Sequence, residues 1–206
     1  MITIIDYAAG NLTSVKRALD YLNIPSVISP DPKVVLSAER IIFPGVGHAA
    51  AAMQALRRRG LDNALKTAFA DGTPILGICL GAQIMLAHAE EGDTDCLGLI
   101  PGTVPRFALS DPALKVPHMG WDAITLKRNH PVLHGVKPAD EFYFVHSYYP
   151  RPADTAAVIA TCGYGIAFAA AIGAKNIVCT QFHPEKSGPA GLSILKNFSA
   201  WDGTPC

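Results

Sequence analysis

The sequence predicts an α/β fold: a central, mostly parallel sheet with helices on both faces, read as a single domain spanning residues 1–206. Three observations carry this reading. Short apolar runs alternate with helix-period segments through the first half of the chain, the arrangement that a parallel sheet wound by crossover helices requires. Half of the residues are hydrophobic and 17% are charged, which supplies a substantial core. The length of 206 residues suits one large domain, and no linker or fixed-period repeat divides it.

The elements follow in order. "ITIID" (2–6) is an apolar strand that ends in the turn "YAAGNLTS". Val15, Ala18, Leu19 and Leu22 fall at i, i+3, i+4 and i+7, a helix with one buried stripe. "SVIS" near residue 27 and "RIIFPG" (40–45) read as further strands. Helical segments at 49–56 and 61–69 are divided at Gly60. "PILGI" (74–78) is a short buried strand, and "LGAQIMLAHA" (80–89) has helical character. From about residue 97 the texture becomes β-rich: "LGLIPGTVPRF", "AITL", "EFYFVHSYY", "AAVIA", "IAFAAAI" and "NIVCTQF" are broken by Gly, Pro, Asn and Asp. These read as sheet extensions with some antiparallel pairs. Ser187 is placed to cap a last helix, with Pro189 in its first turn and Leu192, Leu195 and Phe198 along one side.

Composition excludes several functions. Seventeen basic residues balance seventeen acidic ones, so there is no electrostatic footprint for nucleic acid or an anionic membrane. No segment approaches the roughly 18 apolar residues of a membrane span. "MITIIDYAAG" has neither the basic start nor the apolar length of a signal peptide. A cytoplasmic protein is expected. Cys79, Cys96, Cys162, Cys179 and Cys206 are scattered and form no C-x-x-C pair, which predicts no disulfide framework, no metal and no cofactor. Most of them should pack as small hydrophobes.

Cys79 is different. "GICLG", Gly77 to Gly81, has the shape of a nucleophile elbow with cysteine at its centre. A sharp strand-to-helix turn strains the central residue and demands small neighbours. The following helix would aim its N-terminus at the sulfur and favour the thiolate. The alternative is a buried structural cysteine in a glycine-containing turn. Gln83 lies one helical turn beyond Cys79 on the same face, placed to contact a polar substrate or to support the turn.

A nucleophile needs a base, and "TQFHPEKS" (180–187) supplies His183 at the end of a strand, where α/β active sites gather. Glu185 is two residues on, and in an extended segment both side chains share a face. A carboxylate there can hold the imidazole tautomer while the other ring nitrogen faces the thiol. Leu80 supplies one oxyanion donor through its backbone N–H, and the glycine-bearing turn "FPGVG" (43–47) offers a second. Each segment alone is also an ordinary loop.

Together, "FPGVG", "GICLGAQ" and "QFHPEKS" resemble the class I (triad) glutamine amidotransferases in order and spacing, across essentially the whole chain. Within that family "IIDYAAGNLTSV", "FPGVGHA", "PHMGW" and "FYFVHSYY" are most similar to the branch serving imidazole glycerol phosphate synthase in histidine biosynthesis. The resemblance implies a flavodoxin-like fold and hydrolysis of L-glutamine to glutamate and ammonia through a Cys79 thioester. It also implies that Val46 N–H is the second oxyanion donor and that Gln83 and the backbone around Ser147 and Tyr148 contact glutamine. Ammonia would pass to a (β/α)₈-barrel cyclase partner, which forms imidazole glycerol phosphate and an aminoimidazole carboxamide ribotide. Trp121, Tyr143 and Lys186 would sit in segments lining that interface. Two residues depart from the family pattern: Ala8 stands where glycine is common, and Asp122 where asparagine is usual. Both are expected to affect only the local detail of the partner-facing surface. Two rival readings are a glutaminase serving another synthase, such as one making pyridoxal phosphate, and a silent binding module on the same fold.

Overall fold

A computed structural model describes residues 1–8 and 11–204. Ala9 and Gly10 of the expected "YAAGNLTS" turn, and Cys206, lie outside the described residues. The first half runs β1 (Ile2–Ile5), α1 (Leu12–Tyr21), β2 (Ser26–Ser29), α2 (Pro32–Leu36), β3 (Arg40–Gly45), α3 (Ala49–Arg59), α4 (Leu61–Ala70), β4 (Ile75–Cys79) and α5 (Leu80–Ile84). Then come β5 (His88–Ala89), β6 (Thr94–Asp95), β7 (Gly102–Val104), β8 (His118–Ala123), β9 (Thr125–Leu126), β10 (Glu141–His146) and β11 (Arg151–Pro152). The chain closes with β12 (Val158–Tyr164), β13 (Ile166–Ala174), β14 (Ile177–Thr180) and α6 (Gly188–Ala200).

Among the described residues the main sheet has eight strands in the order β2-β1-β3-β4-β14-β13-β12-β9. The stretch from β2 to β14 is parallel, and β13, β12 and β9 extend it antiparallel. Helices cover both faces, as the alternation predicts. Val15 and Leu19 of α1 and Ile194, Leu195 and Phe198 of α6 join one buried cluster with Ile4, Ile42 and Val178. Met53 and Leu56 of α3 and Leu61 and Leu65 of α4 join the other with Ile5, Ile41 and Phe43. Side chains alternate along a strand, so Ile41 and Ile42 serve opposite cores. No helix among the described residues is long and apolar enough to cross a membrane.

Three details differ from the sequence reading. The helix expected over 80–89 ends at Ile84. Backbone carbonyls that would continue it are taken by a later loop: Leu97 N–H donates to Ile84 O at 3.0 Å, Leu99 N–H to Met85 O at 2.9 Å and Cys96 N–H to Ala87 O at 2.9 Å. The short α2 went unread, although Asp31 accepts from Lys33 N–H at 2.9 Å and Pro32 occupies its first turn, an ordinary start signal. Strand β8 was also missed. It pairs antiparallel with β10, setting Trp121 opposite Tyr143.

The structure gives each of the two departures its surroundings. Ala8 has φ 70°, a left-handed conformation in which glycine is relaxed and alanine is strained. Asp6 Oδ1 holds it by accepting from Ala8 N–H at 2.8 Å. Asp122 meets a buried histidine.

Candidate active site

The site lies at the C-terminal edge of β3, β4 and β14, three neighbours at the centre of the sheet. Cys79 closes β4 with φ 54° and ψ −110°. A side chain held there stores about 1–3 kcal/mol of strain. The flanking glycines are needed for room. A Cβ on Gly77 would stand 2.9 Å from Cys179 Sγ, and one on Gly81 would stand 1.9 Å from Phe43 O. The second clash is with the backbone of a central strand, which cannot yield locally. Gly81→Ala is therefore expected to lower stability by about 3 kcal/mol or more. Urea unfolding checks this, and an unchanged midpoint would show that the turn has slack.

His183 is set by backbone and side-chain contacts. Its N–H donates to Tyr143 O at 3.0 Å. Ser187 Oγ donates to His183 O at 2.6 Å and accepts from Tyr143 N–H at 3.0 Å. Ser187 thus stands at the start of α6 but makes no side-chain cap there; its hydroxyl braces the histidine instead. Glu185 Oε1 lies 2.8 Å from His183 Nδ1. The expected pairing is present, but through a one-turn 3₁₀ helix over Pro184–Lys186 rather than an extended segment. Both side chains are buried, 2% and 1% exposed. Burial alone would push the imidazole down, but the Cys79 sulfur and then Glu185 outweigh it and hold the ring up at about 10. Nε2 is buried and makes no hydrogen bond of normal geometry, leaving it available to the nearby thiol.

A pocket of about 270 Å³ opens over the sulfur, lined by Val46, Leu80, Gln83, Ser147, Tyr148 and His183 among others. The fold therefore brings together the residues expected for nucleophile, base, oxyanion donors and substrate contacts. Gln83 is more constrained than its sequence position suggests. Its Nε2 donates to Tyr148 O at 2.8 Å and to Gln181 Oε1 at 2.9 Å, so its amide hydrogens support the pocket wall.

Sequence reasoning missed Gln181, whose Nε2 lies 3.6 Å from Cys79 Sγ. Its position two residues before His183 in "QFHPEKS" was the available signal. Glu91 also lines the pocket, with Oε2 accepting from Ala49 N–H at 2.7 Å. No motif marks it, because the fold carries it back from a distant loop. Tyr7 is fully buried beneath the "PGVG" turn, and a Cβ on Gly45 would stand 2.7 Å from its hydroxyl. Burial, then the neighbouring Cys79, raises that phenol, and a backbone contact from Val46 opposes them; the contact falls short of a regular hydrogen bond.

Trp121, Tyr143 and Lys186 gather on one surface beside this site. The Trp121 and Tyr143 rings are 5.9 Å apart, and Lys186 Nζ sits 5.5 Å over the Tyr143 ring. Trp121 and Met119 are 51% and 62% exposed. A larger, more open groove of about 880 Å³ lies elsewhere, between Leu126, His130, Leu133 and Trp201, away from the nucleophile.

The family profile for "Glutamine amidotransferase class-I" matches residues 3–200. The chain belongs to that family. Among similar members, the protein named imidazole glycerol phosphate synthase subunit HisH from Nitratidesulfovibrio vulgaris (Miyazaki F) is 50% identical, covering 98% of this chain and 97% of its own length. The protein of the same name from Chromobacterium violaceum is 45% identical, covering 98% of each. Amidotransferase structures share the fold at low identity. One titled "Crystal structure of glutamine amidotransferase" superposes with TM-score 0.74 at 17% identity, over 96% of this chain and 99% of the other. PurLQS from Thermotoga maritima gives 0.72 at 17%, over 96% of each.

Proposed function

We propose that the chain is the glutaminase subunit of imidazole glycerol phosphate synthase, a single cytoplasmic amidotransferase domain that supplies ammonia to a (β/α)₈ cyclase subunit. The observation that carries the chemistry is Cys79 in its strained turn, beside a buried His183 whose one ring nitrogen is bound to Glu185 and whose other is unbonded. The subunit assignment is supported by relatives of that name at 45–50% identity over nearly their whole length. The single-domain reading is supported by a buried core that draws on residues from Ile2 to Trp201.

In this reading the Cys79 proton already rests on His183 Nε2, and the thiolate attacks the side-chain amide carbon of glutamine. The developing oxyanion accepts from the N–H groups of Leu80 and Val46. As the C–N bond breaks, His183 delivers the proton to nitrogen and ammonia leaves a glutamyl thioester. His183 then takes a proton from water, the hydroxide attacks the thioester, and glutamate departs as the sulfur leaves as thiolate beside the protonated His183. Glutamine and water become glutamate and ammonia. Gln83 and the Ser147–Tyr148 backbone hold the substrate, while Trp121, Tyr143 and Lys186 face the cyclase.

The isolated chain is expected to be a poor glutaminase, switched on by the cyclase and most fully by cyclase holding its nucleotide substrate. Gly45 lets the peptide bearing the Val46 N–H turn toward or away from the oxyanion, and Gly47, at φ 103°, sits in open space. Loss of one oxyanion donor costs about 10²–10³ in rate. Glutamate release is to be measured for the chain alone, with cyclase, and with cyclase plus substrate. Equal turnover in all three conditions would defeat the switch. No turnover in any of them would favour the silent module, and failure to pair with the cyclase would favour another synthase.

A further inference from the structure

One buried side chain touches the nucleophile and has no part in the reaction above. Gln181 follows β14 and is 1% exposed. Its backbone is fixed where its N–H donates to Ala170 O at 2.8 Å. Its carboxamide has a partner at each end: Oε1 is 2.9 Å from Gln83 Nε2, and Nε2 is 3.6 Å from Cys79 Sγ. Gln83 is buried as well, with Nε2 2.8 Å from the Tyr148 carbonyl oxygen.

Counting donors fixes which end of each amide is nitrogen. A backbone carbonyl only accepts, so the Gln83 atom facing Tyr148 O is nitrogen. That NH₂ group has two hydrogens. One goes to Tyr148 O, and the second points at Gln181. The Gln181 atom that meets it has to accept, so it is the oxygen. Its nitrogen is then left facing the sulfur. A flipped Gln181 would set N–H against N–H at one end and turn a carbonyl oxygen toward the sulfur at the other. One carbonyl thus sets the direction of the whole chain, from Tyr148 through Gln83 and Gln181 to Cys79, and no ionisation enters.

We propose that Gln181 is a further catalytic residue, a fixed N–H donor that holds the Cys79 sulfur in line with the substrate amide, and that Gln83 positions it. The role rests on the glutamine-site reading above. A cysteine sulfur has three staggered positions to choose from, and a hydrogen bond from a buried, oriented amide selects one. A neutral amide suits the task because it donates to sulfur without surrendering its proton. The proton on His183 therefore remains the one that goes to the departing ammonia. When the C–S bond of the thioester later breaks, its electron pair returns to sulfur, and the same N–H meets that charge. Gln181 stands behind the pocket rather than in its wall, so it acts on the nucleophile and not on the bound glutamine.

The test has two arms. The chain holds three glutamines, Gln54, Gln83 and Gln181, so the side-chain amides of full-length protein labelled with ¹⁵N-glutamine can be resolved by NMR and assigned by through-bond correlation. In Cys79→Ala the acceptor is gone, and the Gln181 proton that faced the sulfur should shift more than its geminal partner. The Gln83 pair, still bound to Tyr148 O and Gln181 Oε1, should stay in place. An unmoved Gln181 pair overturns the proposal, whatever the protein catalyses. Glutamine kinetics of the cyclase complex give the second arm. Gln181→Met keeps the length and removes the donor, and kcat should fall by about 10–10²-fold, the cost of a misplaced reacting atom. KM should stay level, because Gln83 keeps its bond to Tyr148 O. A raised KM with unchanged kcat would make Gln181 a mere prop for Gln83 and overturn the proposal. The NMR arm needs only the parent and Cys79→Ala, so it decides even where Gln181→Met fails to fold. Loss of glutaminase activity in the parent itself would instead strike the site reading and leave the NMR result standing.

Discussion

Glutamine hydrolysis by Cys79→Ala is expected to fall by roughly 10⁴-fold or more, because no other group can form the thioester. The fold should survive, since alanine removes only the sulfur from a turn that already holds a Cβ at φ 54°. Paired with the cyclase, the variant should still support synthesis from added ammonium salt. Substantial residual glutaminase activity would sink the assignment of the nucleophile. A glutamine analogue bearing a diazo ketone provides a second check, read by mass spectrometry of the digest. It should label Cys79 and spare Cys96, Cys162 and Cys179. Burial pushes those thiols up to about 11, about 12 and about 12, and the thiolate is the nucleophile.

His183→Asn is expected to cost about 10³–10⁴ in kcat/KM, because activation of the thiol, departure of ammonia and attack by water all pass through one imidazole. Glu185→Gln should cost less, about 10–100-fold, since that side chain orients and charges the ring without transferring a proton. The pH profile separates these roles. The thiol and carboxylate hold His183 up at about 10, so the parent should keep its protonated imidazole well past neutrality. Removing the carboxylate's charge weakens the upward pull. The alkaline limb of kcat/KM for Glu185→Gln should then fall at lower pH than in the parent. An alkaline limb that stays in place, or a Glu185→Gln defect larger than that of His183→Asn, would reverse the roles.

Some of this was legible because the causes are local. A nucleophile elbow writes itself into five consecutive residues, since the left-handed Cys79 and the close approaches at Gly77 and Gly81 admit few alternatives. The 3.6-residue stripe of α1 and the apolar runs of β1, β3 and β4 are likewise dictated within their own segments. The same local logic failed at "LGAQIMLAHA", where helical periodicity was present but carbonyls near Ile84 and Met85 found partners more than ten residues away. It failed again at Ser187, whose capping position was recognised while its hydroxyl was claimed by His183 and Tyr143.

The sequence by itself determined the fold class, the strained cysteine, and the histidine and carboxylate in a neighbouring segment. In each case residue type and near-neighbour spacing limit what the backbone can do. Only the tertiary structure decided that Gln181 reaches the sulfur, that Glu91 enters the pocket, and that Ala8 takes a left-handed conformation. It alone joined Asp122, His118 and His146 into one chain of hydrogen bonds. Those pairings link strands β8 and β10 across a register that no local pattern encodes. Hydrogen bonds act over about 3 Å, and the fold alone decides which distant residues come that close.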